Sequence, residues 1–187
     1  MIIEAFFLSI LVAFLRRGKL QNLGRSPIRH VWLFGMSFLL MAAVEALGVS
    51  KYGESLRVVI RSANIIQYVV LLAAIAANFH IREMWLAGFG TFLNALVVAV
   101  NGGAMPVSAR ALQVAGYEEM LRPEVVSKFV RHSIMSSSTH LKLIADIIPV
   151  PKLLILPPQV LSIGDALVAI AVFIFVQRYM VSSEKTC

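Results

Sequence analysis

Residues 58–79 read VVIRSANIIQYVVLLAAIAANF, and this apolar stretch decides the fold class. A helix that crosses a bilayer needs about 20 predominantly apolar residues, and this stretch reaches that length unaided. The composition of the whole chain agrees, because 59% of its 187 residues are hydrophobic, only 14% are charged and the mean hydropathy is +0.82. Soluble domains carry about 25% charged residues. We therefore predict an all-α, polytopic helical membrane protein.

Four further apolar segments accompany this stretch, at residues 1–15, 31–47, 84–100 and 163–176. The first and last of them are short for a span, and we expect Arg16 and Arg178 to reach the headgroup region from their ends. The sequence thus predicts about five transmembrane helices in a single membrane domain, residues 1–187.

The basic residues predict the orientation of these helices. The connection 16–30 holds five of them, Arg16, Arg17, Lys19, Arg25 and Arg29. Short loops rich in Lys and Arg stay in the cytoplasm, so we expect the N-terminus outside and the C-terminus inside a bacterial cytoplasmic membrane. We interpret the net charge of +7 as a sign of this orientation, with the bilayer as the partner. Nucleic acid is not an expected partner, because no motif that binds it is present.

Residues 101–160 contain no clean span, and we predict that they form an extracytoplasmic cap on the bundle. Ser108 is placed to cap a short helix through Val114, with Gly116 as its stop. A second, amphipathic helix is predicted after Pro123.

Residues 140–159 are apolar but contain four prolines. We interpret them as a short helix that ends at Ile148, followed by an extended or re-entrant stretch. A sixth crossing by residues 139–158 is the alternative.

Polar residues in or beside spanning helices are the candidate site, because a charge at the bilayer centre costs about 2.5–3.5 kcal/mol on insertion scales. Most of them are predicted to lie at the outer ends of the helices. We expect an outward-facing polar pocket for a small or lipid-like ligand, lined by Glu45, Arg61, Asn64, Asn101, Asp146 and Asp165.

Arg61 is expected to pair with Glu45 or Asp165, or to hold an anionic group of the ligand. The competing interpretation is a structural or assembly protein, in which these residues form an internal ion-pair cluster. We assign no catalytic residue, metal or cofactor, and we favour a protein that is not an enzyme.

An enzyme remains the second alternative. The run Ser162-Ile163-Gly164-Asp165 is similar to the Gly-x-Gly-Asp signature of intramembrane aspartyl proteases, so Asp146 and Asp165 could activate water together. The simpler interpretation is that Asp165 caps the first turn of a helix. A metal site built from His132, His140 and Asp146 is less favoured, since their spacing matches no common ligand set.

Several motifs of the chain resemble those of one family. They are Asn-Gly-Gly-Ala-Met-Pro-Val-Ser at 101–108, Arg-His at 131–132, Ala-Asp-Ile-Ile-Pro-Val-Pro at 145–151 and Ser-Ile-Gly-Asp-Ala-Leu at 162–167. The chain resembles, over nearly its whole length, a bacterial integral-membrane family of unknown function, family 5317. The resemblance implies a bacterial polytopic membrane protein and brings no activity, substrate or cofactor with it.

Overall fold

The computed structural model describes residues 2–181 except for 49, 51, 123–124, 126–129 and 153–156. Within these residues the chain is mostly helical, which confirms the predicted fold class. The helices are α1 (Ile2–Leu15), α2 (Leu20–Gly24), α3 (Val31–Gly48), α4 (Arg57–Ala76), α5 (Arg82–Val100), α6 (Ala109–Ala115) and α7 (Ile163–Val181). Four of them, α3, α4, α5 and α7, are long and apolar enough to cross a membrane, and α1 is a shorter apolar helix.

The long helices form an open arc in the order α1, α7, α5, α4, α3. Small residues let α5 and α7 approach closely at the centre of this arc. A Cβ atom added to Gly164 would lie 2.5 Å from the carbonyl oxygen of Gly90, so these positions bring the two backbones together. The ends of the arc, α1 and α3, flank an open groove.

Polar side chains fasten the short helix α1 to α7. Ser9 Oγ donates a hydrogen bond to the Phe173 carbonyl oxygen at 3.1 Å, and Gln177 Nε2 donates to the Ser9 carbonyl oxygen at 2.6 Å. Arg16 Nη1 donates to Gln177 Oε1 at 2.9 Å. Helix α7 includes Gln177 and continues to Val181, five residues beyond the predicted end of the segment.

The basic connection 16–30 packs on one end of the bundle. The Asn78 side chain accepts a hydrogen bond from the Arg29 backbone N–H at 2.6 Å and donates to the Arg29 carbonyl oxygen at 2.8 Å. The Lys19 N–H donates to the Met180 carbonyl oxygen at 3.0 Å. These bonds place the connection beside the α4–α5 turn and the end of α7, and the cap lies at the opposite end.

The cap contains helix α6 and four short strands. The strands are β1 (Met105–Val107), β2 (His132–Ile134), β3 (Ile148–Val150) and β4 (Gln159–Leu161). Strands β1 and β2 form a parallel pair, whereas β3 and β4 form an antiparallel pair. The described residues of the cap also form two single turns of 3-10 helix, Glu118–Leu121 and Lys142–Ile144.

The structure bears out one local prediction in the cap and contradicts another. Ser108 Oγ accepts a hydrogen bond from the Ala111 N–H, and Gly116 ends α6 with a φ of 91°, so the predicted short helix is confirmed. The helix predicted to end at Ile148 is wrong, because strand β3 begins there. Ile148 and Val150 each precede a proline, which disfavours helical backbone at both positions.

Two other predictions concern parts of the cap that are only partly described. The described part of 139–158 contains a 3-10 turn and a strand in place of the long helix that a sixth crossing would need. The helix predicted after Pro123 lies mostly outside the described residues.

Candidate functional site

The short strands bring distant parts of the cap together above the bundle. Strand β1 lies between β2 and the segment at Asp146, because the Met105 N–H donates to the Arg131 carbonyl oxygen at 2.8 Å and the Asp146 N–H donates to the Pro106 carbonyl oxygen at 3.1 Å. His132 pairs with Met105, and Asp146 pairs with Val107. Side chains of residues two apart on a strand, and of their partners in register, share one face of the ladder. His132 and Asp146 therefore face the same side.

Asp165 joins this group from the start of α7. The Asp165 N–H donates to Ser162 Oγ at 2.8 Å, and the Ser162 N–H donates to Asp165 Oδ2 at 3.2 Å. This reciprocal pair is a capping box, which satisfies two backbone donors at the start of the helix. Asn94 Nδ2 donates to Asp165 Oδ1 at 2.8 Å, and Ser162 Oγ donates to Asn94 Oδ1 at 2.8 Å. Asp165 thus caps α7 and binds α5 at the same time.

A cavity of about 970 Å³ lies under the cap in the groove between α1 and α3. Most of its wall is apolar, for example Phe6 of α1, Phe38 of α3 and Val172 of α7. Its polar lining residues are Glu45, Tyr117, His132, Ser133, Asp146, Gln159 and Asp165. The groove is therefore amphipathic along its length, with its polar end at the cap.

A smaller cavity of about 360 Å³ adjoins the first, and the two share His132, Asp146 and Asp165 in their linings. It is formed mainly by residues of α3, α4, α5 and α7. Asn64 and Gln67 of α4 line it from one side. The larger cavity thus continues into a more polar recess inside the arc.

Four of the six predicted site residues line these cavities. Glu45, Asp146 and Asp165 line the larger one, and Asn64 lines the smaller one. Arg61 and Asn101 lie outside both linings.

The predicted pairing of Arg61 with Glu45 or Asp165 is wrong. Arg131 Nη1 lies 2.8 Å from Glu45 Oε2 and takes the predicted place of Arg61. Arg61 itself packs against the turn after α5, where a Cβ atom on Gly103 would lie 2.5 Å from the Arg61 carbonyl oxygen. The ion pair instead forms between α3 and the residue before β2, a contact that depends on the tertiary pairing of β2 with β1.

Asn64 and Asn101 fasten the cap to the bundle. Asn64 Nδ2 donates to the Gly103 carbonyl oxygen at 2.9 Å, in a turn where Gly103 has a φ of 84° that a glycine adopts without strain. Asn101 Nδ2 donates to the His140 carbonyl oxygen at 3.1 Å, and Asn101 Oδ1 accepts from the His140 N–H at 3.0 Å. Both asparagines therefore have structural contacts that the sequence did not predict.

Three residues that line the smaller cavity each have a buried side-chain acceptor atom with no hydrogen-bond partner among the described residues. These atoms are Asn64 Oδ1, Gln67 Oε1 and Asp146 Oδ1. An unpaired buried acceptor costs about 1–3 kcal/mol, so three together are unusual. Gln67 was not among the predicted site residues, although its spacing of three from Asn64 places it on the same face of the helix.

Two titratable side chains of the cap that line the cavities, Asp146 and His132, have shifted pKa values. Burial, together with the charge of Asp165, raises the pKa of the Asp146 carboxyl well above its usual range. Burial, together with the charge of Arg131, lowers the pKa of His132 and keeps its imidazole neutral at pH 7. No group of three His, Cys, Asp or Glu residues that could hold a metal ion occurs in the described part of the chain.

Comparison with known proteins places the chain in a family. An uncharacterized protein of Thermotoga maritima is 28% identical over 178 residues, which cover 94% of this chain and 89% of that protein. No solved structure matches the chain. The model of a family of unknown function, DUF5317, matches residues 25–177 and thus includes every residue that lines the smaller cavity. The chain belongs to this family, DUF5317, as its cap motifs suggested.

Proposed function

We propose that the protein binds a lipid-like amphiphile in the groove between α1 and α3, as a non-enzymatic sensor, accessory subunit or transport component of a bacterial cytoplasmic membrane. The observation that carries this proposal is the cavity of about 970 Å³, apolar along the helices and polar under the cap. Ligand pockets commonly have volumes of about 300–1,000 Å³ and combine apolar walls with a few polar groups.

The dimensions of the groove suit a hydrocarbon chain. Val31 and Glu45 of α3 line its two ends, and the helix rises by about 21 Å between them at about 1.5 Å per residue. This exceeds half of the hydrocarbon core, which is about 30 Å thick. A chain of one lipid can therefore lie along the groove.

The open arc also gives the ligand a route from the bilayer. Because α1 and α3 are the ends of the arc, a molecule can enter between them without separating helices that pack against each other. The positive-inside rule puts the basic connection 16–30 in the cytoplasm, so we expect the cap and the polar end of the groove at the outer leaflet, with the N-terminus outside.

The two competing functions are supported less well. In a structural protein the polar residues would pack together, yet Glu45, Asn64, Asp146 and Asp165 line cavities. A hydrolase would need Asp165 to share a water with Asp146. Both aspartates line the same cavities, but each oxygen of Asp165 already accepts a hydrogen bond from an N–H donor.

Blocking the groove tests the proposal. Met41 of α3 and Val172 of α7 line both cavities, so the double variant Met41→Trp/Val172→Trp fills them. Leu39 and Ile174 lie on outward faces of the same helices, with 73% and 44% of their surface exposed, so Leu39→Trp/Ile174→Trp is the matched control. Each protein is extracted in a mild detergent, checked for its helix content, and its bound lipids are identified by mass spectrometry.

We expect one class of amphiphile to remain with the wild type and the control at near-stoichiometric amounts and to be lost from the Met41/Val172 variant. Equal amounts in a folded Met41/Val172 variant, or no retained amphiphile in the wild type, would contradict the proposal. If the double variant is unfolded, Val172→Trp alone is used with Ile174→Trp alone as its control.

A further inference from the structure

We propose that the smaller cavity binds a protonated amine, so that the amphiphile in the groove carries an ammonium group at its polar end. This inference rests on the proposed function and names the chemical class of its ligand. It replaces the sequence-based expectation of an anionic group held by Arg61.

The unpaired acceptors of the smaller cavity require a hydrogen-bond donor. Two of these acceptors belong to the side-chain amides of Asn64 and Gln67. The hydrogen bonds of each amide determine which of its two terminal atoms is the nitrogen and which is the oxygen. Asn64 Nδ2 donates to the Gly103 backbone carbonyl oxygen. Gln67 Nε2 donates to Ser37 Oγ, and the Ser37 hydroxyl donates its own proton to the backbone carbonyl oxygen of Gln67. In each amide, the atom left without a partner is therefore an acceptor.

The third unpaired acceptor comes from the cap. Asp146 is only 6% exposed, lines both cavities, and its Oδ1 has no partner among the described residues. An ammonium group carries three N–H donors and no acceptor, which matches three unpaired acceptors. A phosphate or carboxylate head would bring only further acceptors and leave all three unpaired.

The charges around the cavities favour the same ligand. The charged side chains in the two linings are Glu45, Glu83, Arg131, Asp146 and Asp165. Glu45 pairs with Arg131, and Glu83 pairs with Arg178 at 3.0 Å. Asp146 and Asp165 form no ion pair with another described residue. Arg131 Nε is unpaired as well, but the guanidinium charge is already shared with Glu45.

A cationic head would thus supply the positive counter-charge that no described residue provides to Asp146 and Asp165. Desolvated carboxylates without a counter-charge are costly, and an ammonium within hydrogen-bond distance offsets that cost. The apolar groove next to the recess would hold the hydrocarbon chain of the same molecule.

Three probes of equal chain length test the inference, namely dodecylamine, dodecanol and dodecanoate. The full chain in lipid nanodiscs is titrated with each probe at neutral pH, and the dissociation constant is taken from the rise in unfolding temperature. We expect dodecylamine to bind at least about tenfold more tightly than dodecanol, and dodecanoate to bind more weakly than either.

Asp146→Asn should remove most of this preference while keeping the shape of the side chain. Glu118→Gln removes a carboxylate from an exposed position of the cap outside both linings, so it should leave the preference unchanged. If Asp146→Asn fails to fold, Gln67→Met takes its place, because it removes one of the unpaired acceptors and should weaken dodecylamine binding several-fold.

The outcomes separate this inference from the proposed function. Equal binding of all three probes would overturn the ammonium site and leave the groove as a lipid site. Binding of none of them would contradict the proposed function itself. A preference for dodecylamine that persists in a folded Asp146→Asn protein would overturn the inference, since the amine would then be attracted elsewhere.

Discussion

Gly164→Ala tests the contact on which the site is built. A Cβ atom at position 164 would lie 2.5 Å from the Gly90 carbonyl oxygen and would overlap Asn94 Oδ1. Helix α7 must then move away from α5, or Asn94 must leave its bonds to Ser162 and Asp165. Overpacking costs about 1–3 kcal/mol, and a lost hydrogen bond adds about 1 kcal/mol. We expect a loss of about 2–4 kcal/mol in the free energy of unfolding.

The matched control is Gly35→Ala in α3, where an added Cβ atom would meet nothing within 4 Å. Alanine is favoured over glycine in a helix by about 1 kcal/mol, so this control should be neutral or slightly more stable than the wild type. Both variants are unfolded by graded addition of a denaturing detergent to mixed micelles and followed by circular dichroism. Unfolding of Gly164→Ala at the same detergent fraction as Gly35→Ala would contradict the close approach of α5 and α7 at Gly164 and Gly90.

Three further predictions concern other parts of the molecule. Asn78→Ala should cost about 1–3 kcal/mol, because it leaves the Arg29 N–H and carbonyl groups unpaired, and limited trypsin digestion should then cleave the basic connection faster. A double-mutant cycle on Arg131 and Glu45 should give a coupling of only about 1 kcal/mol or less, since half of the Glu45 side chain is exposed. The lowered pKa of His132 means that the unfolded chain binds this proton more readily than the folded protein does. Stability should therefore fall as the pH drops below the ordinary pKa of 6.5, and His132→Gln should reduce that fall in a melting series.

Local patterns were sufficient to predict the long helices. The apolar runs at 31–47, 58–79 and 84–100 each became a helix whose ends differ from the predicted ones by no more than three residues. Helix α6 could be predicted equally well, because Ser108 and Gly116 determine its two ends through hydrogen bonds to residues a few positions away in the sequence. In each case the interactions that determine the element are close together in the sequence.

The strands of the cap could not be predicted from such patterns. Each is three residues long, and β1 pairs with β2 across 27 positions of the sequence. This pairing brings Arg131 to Glu45 and His132 to Asp146, so it determines which charges meet. Arg61 was a reasonable partner for Glu45 by its place along α4, but the sequence contains no signal for the strand that brings a different arginine there.

The motifs that carry the family resemblance meet in space around the smaller cavity. The turn at Gly103 accepts the bond from Asn64, the segment 145–151 carries Asp146, and the segment 162–167 forms the capping box that holds Asn94. The unpaired acceptors of this cavity all lie within residues 25–177, the part of the chain that the family model matches. Helix α1 lies outside that part and contributes apolar residues, Ile3 and Phe6, to the wall of the groove. The groups that would recognise a polar head are therefore built by one continuous part of the chain, whereas α1 completes the space for the hydrocarbon chain.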